Sequence, residues 1–228
     1  MAKAGKAVSA RWRSVPWLVL ALCVAGWVVW ESQRLVRADM AAMATRKQVT
    51  QWASGAVEPP APPAWQAAQE ALQTALAITP DNPGLQEQMG DLHAVAGRRD
   101  WPDSAARTQH FTQAAGYYQR ALSLRPGDPQ TWASLAAAYQ GTGQWGAPLH
   151  DAWARALQLG PNEGHVQPML LETALATWNQ ATPQMQQWAM RLFEASPEAQ
   201  RRAINASAGQ HGLHFDTQLP APASNTSR

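Results

Sequence analysis

Between residues 131 and 161, TWASLAAAYQGTGQWGAPLHDAWARALQLGP, large apolar residues recur at helical spacing twice, on either side of a Gly-rich break. Trp132, Leu135 and Tyr139 fall at i, i+3 and i+7, which gives a first helix one apolar face. Leu149, Trp153 and Ala156 do the same for a second helix, and Pro161 stops it. The pattern predicts a helical hairpin, and its ending recurs. RALQLGP at 155–161 has counterparts in RALSLRP at 120–126 and TALAITP at 74–80. Each has Ala-Leu, an aliphatic residue two positions on, and Pro four positions after that Leu.

Pro126 and Pro161 are 35 residues apart, Pro80 and Pro126 are 46 apart, and Pro197 follows Pro161 by 36. A period of about 34 residues is that of tetratricopeptide repeats, in which two antiparallel helices form one unit. The longer interval fits the same unit with an enlarged inter-helix connection, AGRRDWPDSAARTQHF. That repeat supplies Met89, Gly90 and His93, then Ala114, Tyr118, Ala121 and Pro126. WQAAQEALQTALAITP, 65–80, reads as a lone second helix with Ala68, Leu72 and Ala75 on its face. GHVQPMLLETALATW and PQMQQWAMRLFEASP form a further pair, and EAQRRAINASAG a terminal capping helix. The expected fold is all-α, a solenoid of tetratricopeptide-type hairpins, with a single N-terminal transmembrane helix.

That transmembrane helix comes from VPWLVLALCVAGWVVW, 15–30, which contains no charge. Sixteen residues span about 24 Å, slightly short of a ~30 Å hydrocarbon core. Lys3, Lys6, Arg11 and Arg13 precede the run, Glu31 closes it, and Trp12, Trp17, Trp27 and Trp30 sit near its ends, where indoles favour the headgroup level. A cleaved signal peptide needs small residues after the run, but it ends in bulky WVVWESQ, which favours an uncleaved anchor. The positive flank places the N-terminus in the cytoplasm and the rest outside the cytoplasmic membrane. The expected layout is a basic cytoplasmic N-terminus at 1–14, a transmembrane helix at 15–32 and a helical stalk at 33–53. A Pro-rich linker at 54–64, the repeat domain at 65–216 and a disordered tail at 217–228 follow.

The net charge of +2 divides unevenly. Residues 1–64 carry eight basic and three acidic side chains, whereas 65–216 carry nine and thirteen. The body is therefore mildly acidic, which argues against nucleic acid as a partner. Cys23 is the only cysteine, so no disulfide within the chain and no cysteine metal site is possible.

RPGDPQTWASLA (125–136), DAWARALQLGPNEGHVQ (151–167) and ETALATWNQATPQMQQ (172–187) resemble the VpsP-like tetratricopeptide proteins found with exopolysaccharide biosynthesis genes. The resemblance covers roughly 80–215 and, more loosely, the anchor. It implies an accessory role in making or exporting surface polysaccharide or biofilm matrix, and it carries over no catalytic residue.

The chain offers no constellation for catalysis. Its six histidines form no H-E-x-x-H pattern, and it has no G-x-S-x-G turn or phosphate-cradling loop. His211, His214 and Asp216 read as a polar terminal loop, and His93 as a packing residue in place of a repeat aromatic. His150-Asp151 reads as the start of a helix, with Asp151 capping it. No enzyme activity, cofactor or metal is expected. The expected function is binding: stacked hairpins form a groove lined by their first helices. Glu87, Asp91, Gln130, Gln140, His165 and Glu172 project into it in the repeat frame, and Trp101 in the enlarged loop is a further contact candidate. Such a polar, mildly acidic lining suits a protein partner with exposed Lys/Arg or amide donors, and the C-terminal helix is a candidate to fill part of the groove. The leading reading is a membrane-anchored, extracytoplasmic (periplasmic) scaffold for an envelope assembly machine. The alternatives are a scaffold for cytochrome c maturation or pilus assembly, and a glycan-binding module.

Overall fold

The computed structural model describes residues 8–99 and 104–215, so Trp101, the extreme N-terminus and the tail 217–228 lie outside the described residues. Among those residues the regular structure is helical, in nine segments: α1 (Val8–Ala53), α2 (Pro62–Ile78), α3 (Pro83–Gly97), α4 (Ser104–Leu124), α5 (Pro129–Thr142), α6 (Ala147–Leu159), α7 (Val166–Ala176), α8 (Pro183–Ala195) and α9 (Glu198–Gln210). In α1 the side chains of residues 8–16, 18, 35, 37–39, 41 and 42 also lie outside the description.

The repeated Pro endings set the helix boundaries. Asn82 and Asp128 cap α3 and α5: Asn82 Oδ1 accepts from the Leu85 N–H at 3.2 Å, and Asp128 Oδ1 from those of Gln130 and Thr131 at 3.0 and 3.3 Å. Pro83 and Pro129 follow in the first turn, where a missing N–H costs nothing. At each of the three turns a side chain six residues past the Pro donates to its carbonyl. Gln86 Nε2 reaches Pro80 at 2.9 Å, Trp132 Nε1 reaches Pro126 at 2.8 Å, and Gln167 Nε2 reaches Pro161 at 2.9 Å. The hairpin break inside the best repeat ends α5 at Gly143, whose φ of 77° suits a residue without Cβ.

Three adjoining clusters make the core. Val49 and Trp52 of α1 pack with Leu72 of α2 and Leu85, Met89 and Leu92 of α3. Tyr118, Leu135, Leu149, Trp153, Leu170 and Met185 fill the centre, and Leu171, Leu175, Ala189, Ile204 and Ala208 join α7, α8 and α9. Trp153 is fully buried and donates its indole N–H to the Leu170 carbonyl at 2.9 Å.

The packing differs from the sequence expectation in several places. α2 is not a lone helix: the end of α1 packs along it and also touches α3. Residues read as stalk thus enter the core, because Thr45, Val49 and Trp52 share one helical face and all three are buried. The Pro-rich stretch is correspondingly the connection inside the first hairpin, not a spacer in front of the domain, and α2 begins at Pro62. Most of the enlarged connection is helical, since α4 starts at Ser104. His150 and Asp151 lie inside α6, whose N-cap is Gly146, so Asp151 is no cap.

Among the described residues no helix is long and apolar enough to cross a membrane, and the side chains that open the uncharged run fall outside that set. The part of the run that is described is uncovered: Trp17, Leu20, Leu22, Val24, Trp27 and Trp30 are all exposed.

Candidate partner-binding groove

The first helices of successive hairpins, α3, α5 and α7, touch one another in order. The six groove candidates are all on or beside them, but in three different situations. Glu87 and Asp91 stand one turn apart on α3 and are drawn inward. Glu87 accepts from Arg125 Nη2 at 2.9 Å and from Thr131 Oγ1 at 3.0 Å, and Arg125 also pairs with Asp128. Burial and then the Asp128 charge hold the Glu87 carboxyl above its ordinary pKa. Asp91 accepts from the Tyr118 hydroxyl at 2.8 Å. Burial is the main cause that moves its carboxyl from 3.8 up to about 6, with a further push from Glu87, against the pull of Tyr118.

Glu172 is held at the other end. Its two oxygens meet Ser207 Oγ at 2.8 Å and His211 Nε2 at 2.7 Å, so α9 and its C-cap fold over this stretch of α7. A cleft of about 550 Å³ stays open beside it, walled by Leu171, Leu192, Ile204 and Ser207.

Gln130, Gln140 and His165 form the third group. Gln130 Nε2 donates to Met169 Sδ at 3.3 Å across to α7, while its buried Oε1 has no hydrogen-bond partner in the protein. A buried amide oxygen left without a donor is costly unless water or a partner reaches it. Gln140 is half-buried ten residues further along α5, about 15 Å by helical rise. His165 is the N-cap residue of α7, exposed, with Nε2 3.1 Å from Glu163. The structure therefore sets Glu87 and Asp91 side by side on α3, each with its own partners, and leaves the other four spread along the face. Two of the three groove carboxylates are committed to cationic or potentially cationic partners within the chain, Arg125 and His211, and the third to a tyrosine. The lining that remains is largely neutral and amide-bearing.

A cluster not anticipated from the sequence joins α2, α3 and α4. His93 Nδ1 lies 3.2 Å from His110 Nδ1, and His93 stacks on Tyr117 with ring centroids 5.6 Å apart. Trp65 meets both imidazoles edge-on at 5.5 Å and donates its N–H to the Leu92 carbonyl. Burial, then the neighbouring His110, lowers His93 to about 4. The 17-residue separation of the two histidines crosses the enlarged connection, so only the length of α4 brings them together. Among the described residues no group of three or more His, Cys, Asp or Glu is placed to hold a metal ion.

No protein-family model matches the chain, and no curated protein matches it.

Proposed function

We propose that the protein is a membrane-anchored, extracytoplasmic tetratricopeptide-type scaffold that recruits another protein of an envelope assembly machine, accessory to making or exporting exopolysaccharide. What carries the scaffold reading is the succession of hairpins with the same turn chemistry at Pro80, Pro126 and Pro161, which sets α3, α5 and α7 side by side. Such a face suits an extended or helical peptide segment. The unpartnered Gln130 amide oxygen supports a ligand that brings donors, such as the amides or lysines of a protein segment. The membrane reading is supported by the uncharged run and by its uncovered apolar side chains. The polysaccharide setting rests on the resemblance quoted above.

Deleting the gene tests the setting. The expected phenotype is loss or shortening of surface polysaccharide, with c-type cytochromes and pili intact. Normal polysaccharide together with missing cytochromes or pili would move the scaffold to one of those machines. Saturation with surface oligosaccharides is expected to leave tryptophan emission of the purified chain unchanged; a saturable change would favour a glycan-binding module.

A further inference from the structure

We infer that the α2–α3 turn, Thr79 to Pro83, lies in the headgroup layer of the membrane that α1 enters, so that the repeat domain stands on the bilayer and not at the end of a stalk. The inference rests on the anchor reading above. It starts from α1, which continues as one helix from the uncharged run into the core. No Gly or Pro occurs between Gly26 and Gly55, so nothing in this stretch supplies the usual cause of a hinge.

Two bonds clamp the C-terminal part of the helix to the body, one at Ala53 and one at Arg34. Near the core end, Arg98 Nη2 donates to the Ala53 carbonyl at 3.2 Å, beside buried Val49 and Trp52. Near the apolar end, Arg34 Nε donates to the Ile78 carbonyl at 2.6 Å. Ile78 is the last residue of α2, where helix carbonyls lack intrahelical donors, and a guanidinium there also suits the helix dipole. Arg34 is four residues past Trp30, the end of the uncharged run, and four residues rise only about 6 Å. The same guanidinium lies 6.0 Å from the Trp30 ring and 3.5 Å from Glu31. The headgroup region adds roughly 5–8 Å on each side of the hydrocarbon. The end of α2 and the turn after it therefore fall within that layer. Glu31, Arg34 and Thr79 to Pro83 wall a polar cleft of about 380 Å³ at this level.

The other inter-repeat turns share this edge. Arg125, in the α4–α5 turn, bonds Glu87 near the start of α3, and Gly160, in the α6–α7 turn, abuts Pro129. The three turns carry three carboxylates, Asp81, Asp128 and Glu163, against one guanidinium, Arg125, so acidic side chains outnumber basic Lys/Arg on this edge. Anionic lipid would not attract it. The rigid α1 sets the approach, and the contact is with headgroups of any net-neutral bilayer.

The test uses the full chain reconstituted in phosphatidylcholine vesicles. A fluorophore on native Cys23 reports the anchor through quenching by lipids spin-labelled in mid-chain. In a Cys23→Ala background, fluorophores attached in Asp81→Cys and in Gln144→Cys, on the opposite edge, are compared using lipids spin-labelled at the headgroup. The inference predicts quenching at 81 several-fold stronger than at 144 in these net-neutral vesicles, not strengthened by adding anionic lipid, and reduced by adding Arg34→Ala. Quenching at 23 with equal signals at 81 and 144 overturns the inference and leaves the anchor standing. Absence of quenching at 23 overturns both.

Discussion

Close contacts at single residues give the sharpest tests of the packing. A Cβ added at Gly90 would stand 2.5 Å from the Tyr118 ring, inside the α3–α4 interface. Gly90→Ala should therefore cost about 1–3 kcal/mol in denaturant unfolding. Gly116→Ala, in α4 with nothing within 4 Å of the new methyl, should be neutral or stabilise by about 0.5–1 kcal/mol. Equal effects at both sites would mean that α3 and α4 do not approach as described. Two buried titrations on α3 oppose each other. Asp91, raised to about 6, contributes stability that is present below its unfolded value near 4 and lost as pH rises through 6. His93, lowered to about 4, contributes stability that is present above its unfolded value near 6.5 and lost as pH falls through 4. Asp91→Asn should thus make unfolding more sensitive to acid between pH 6.5 and 4, and His93→Phe less so. Urea midpoints at pH 4.5 and 7 would show it; variants that both track the wild type would refute the assignment.

At the level of the helices, the Trp/Leu/Tyr and Ala…Pro spacing foretold the hairpins from α3 to α8, because first- and second-helix faces leave a 3.6-residue imprint wherever both bury one side. The imprint failed at the first hairpin for a physical reason. Thr45, Val49 and Trp52 lie in a stretch otherwise filled with charged and amide or hydroxyl side chains, so the buried stripe is only two turns long. Among the groove candidates, the helix assignment was legible, but the partners were not. Glu87 is engaged by Arg125 of the α4–α5 turn and Thr131 of α5, and Glu172 by Ser207 of α9 and its C-cap His211, contacts that span 35 to 44 positions. Local spacing carries no trace of them. What a single-chain pattern can show after the fact is the residue six past each turn proline. Trp132→Phe keeps an aromatic side chain but deletes the donor to the Pro126 carbonyl and part of the indole, an expected loss of at least about 1 kcal/mol. Gln86→Met and Gln167→Met should each lose stability in the same direction. If only one of the three matters, the shared turn chemistry is decoration and not a rule of this fold.

Across the whole molecule, α1 is both the proposed anchor and a wall of the first core cluster, and α9 closes the other end of the helical array over Glu172. Between these ends the face of α3, α5 and α7 is the surface proposed for recruitment. The most direct test of that claim is in-cell photo-cross-linking with a photoreactive residue placed at Gln140 or His165, and at exposed Asp151 on α6 as the control. The account predicts that the two groove positions capture the same envelope protein, in the membrane fraction, and that Asp151 does not. Capture of that protein equally from all three positions, or no capture from Gln140 and His165 in a well-expressed, membrane-associated chain, would contradict it.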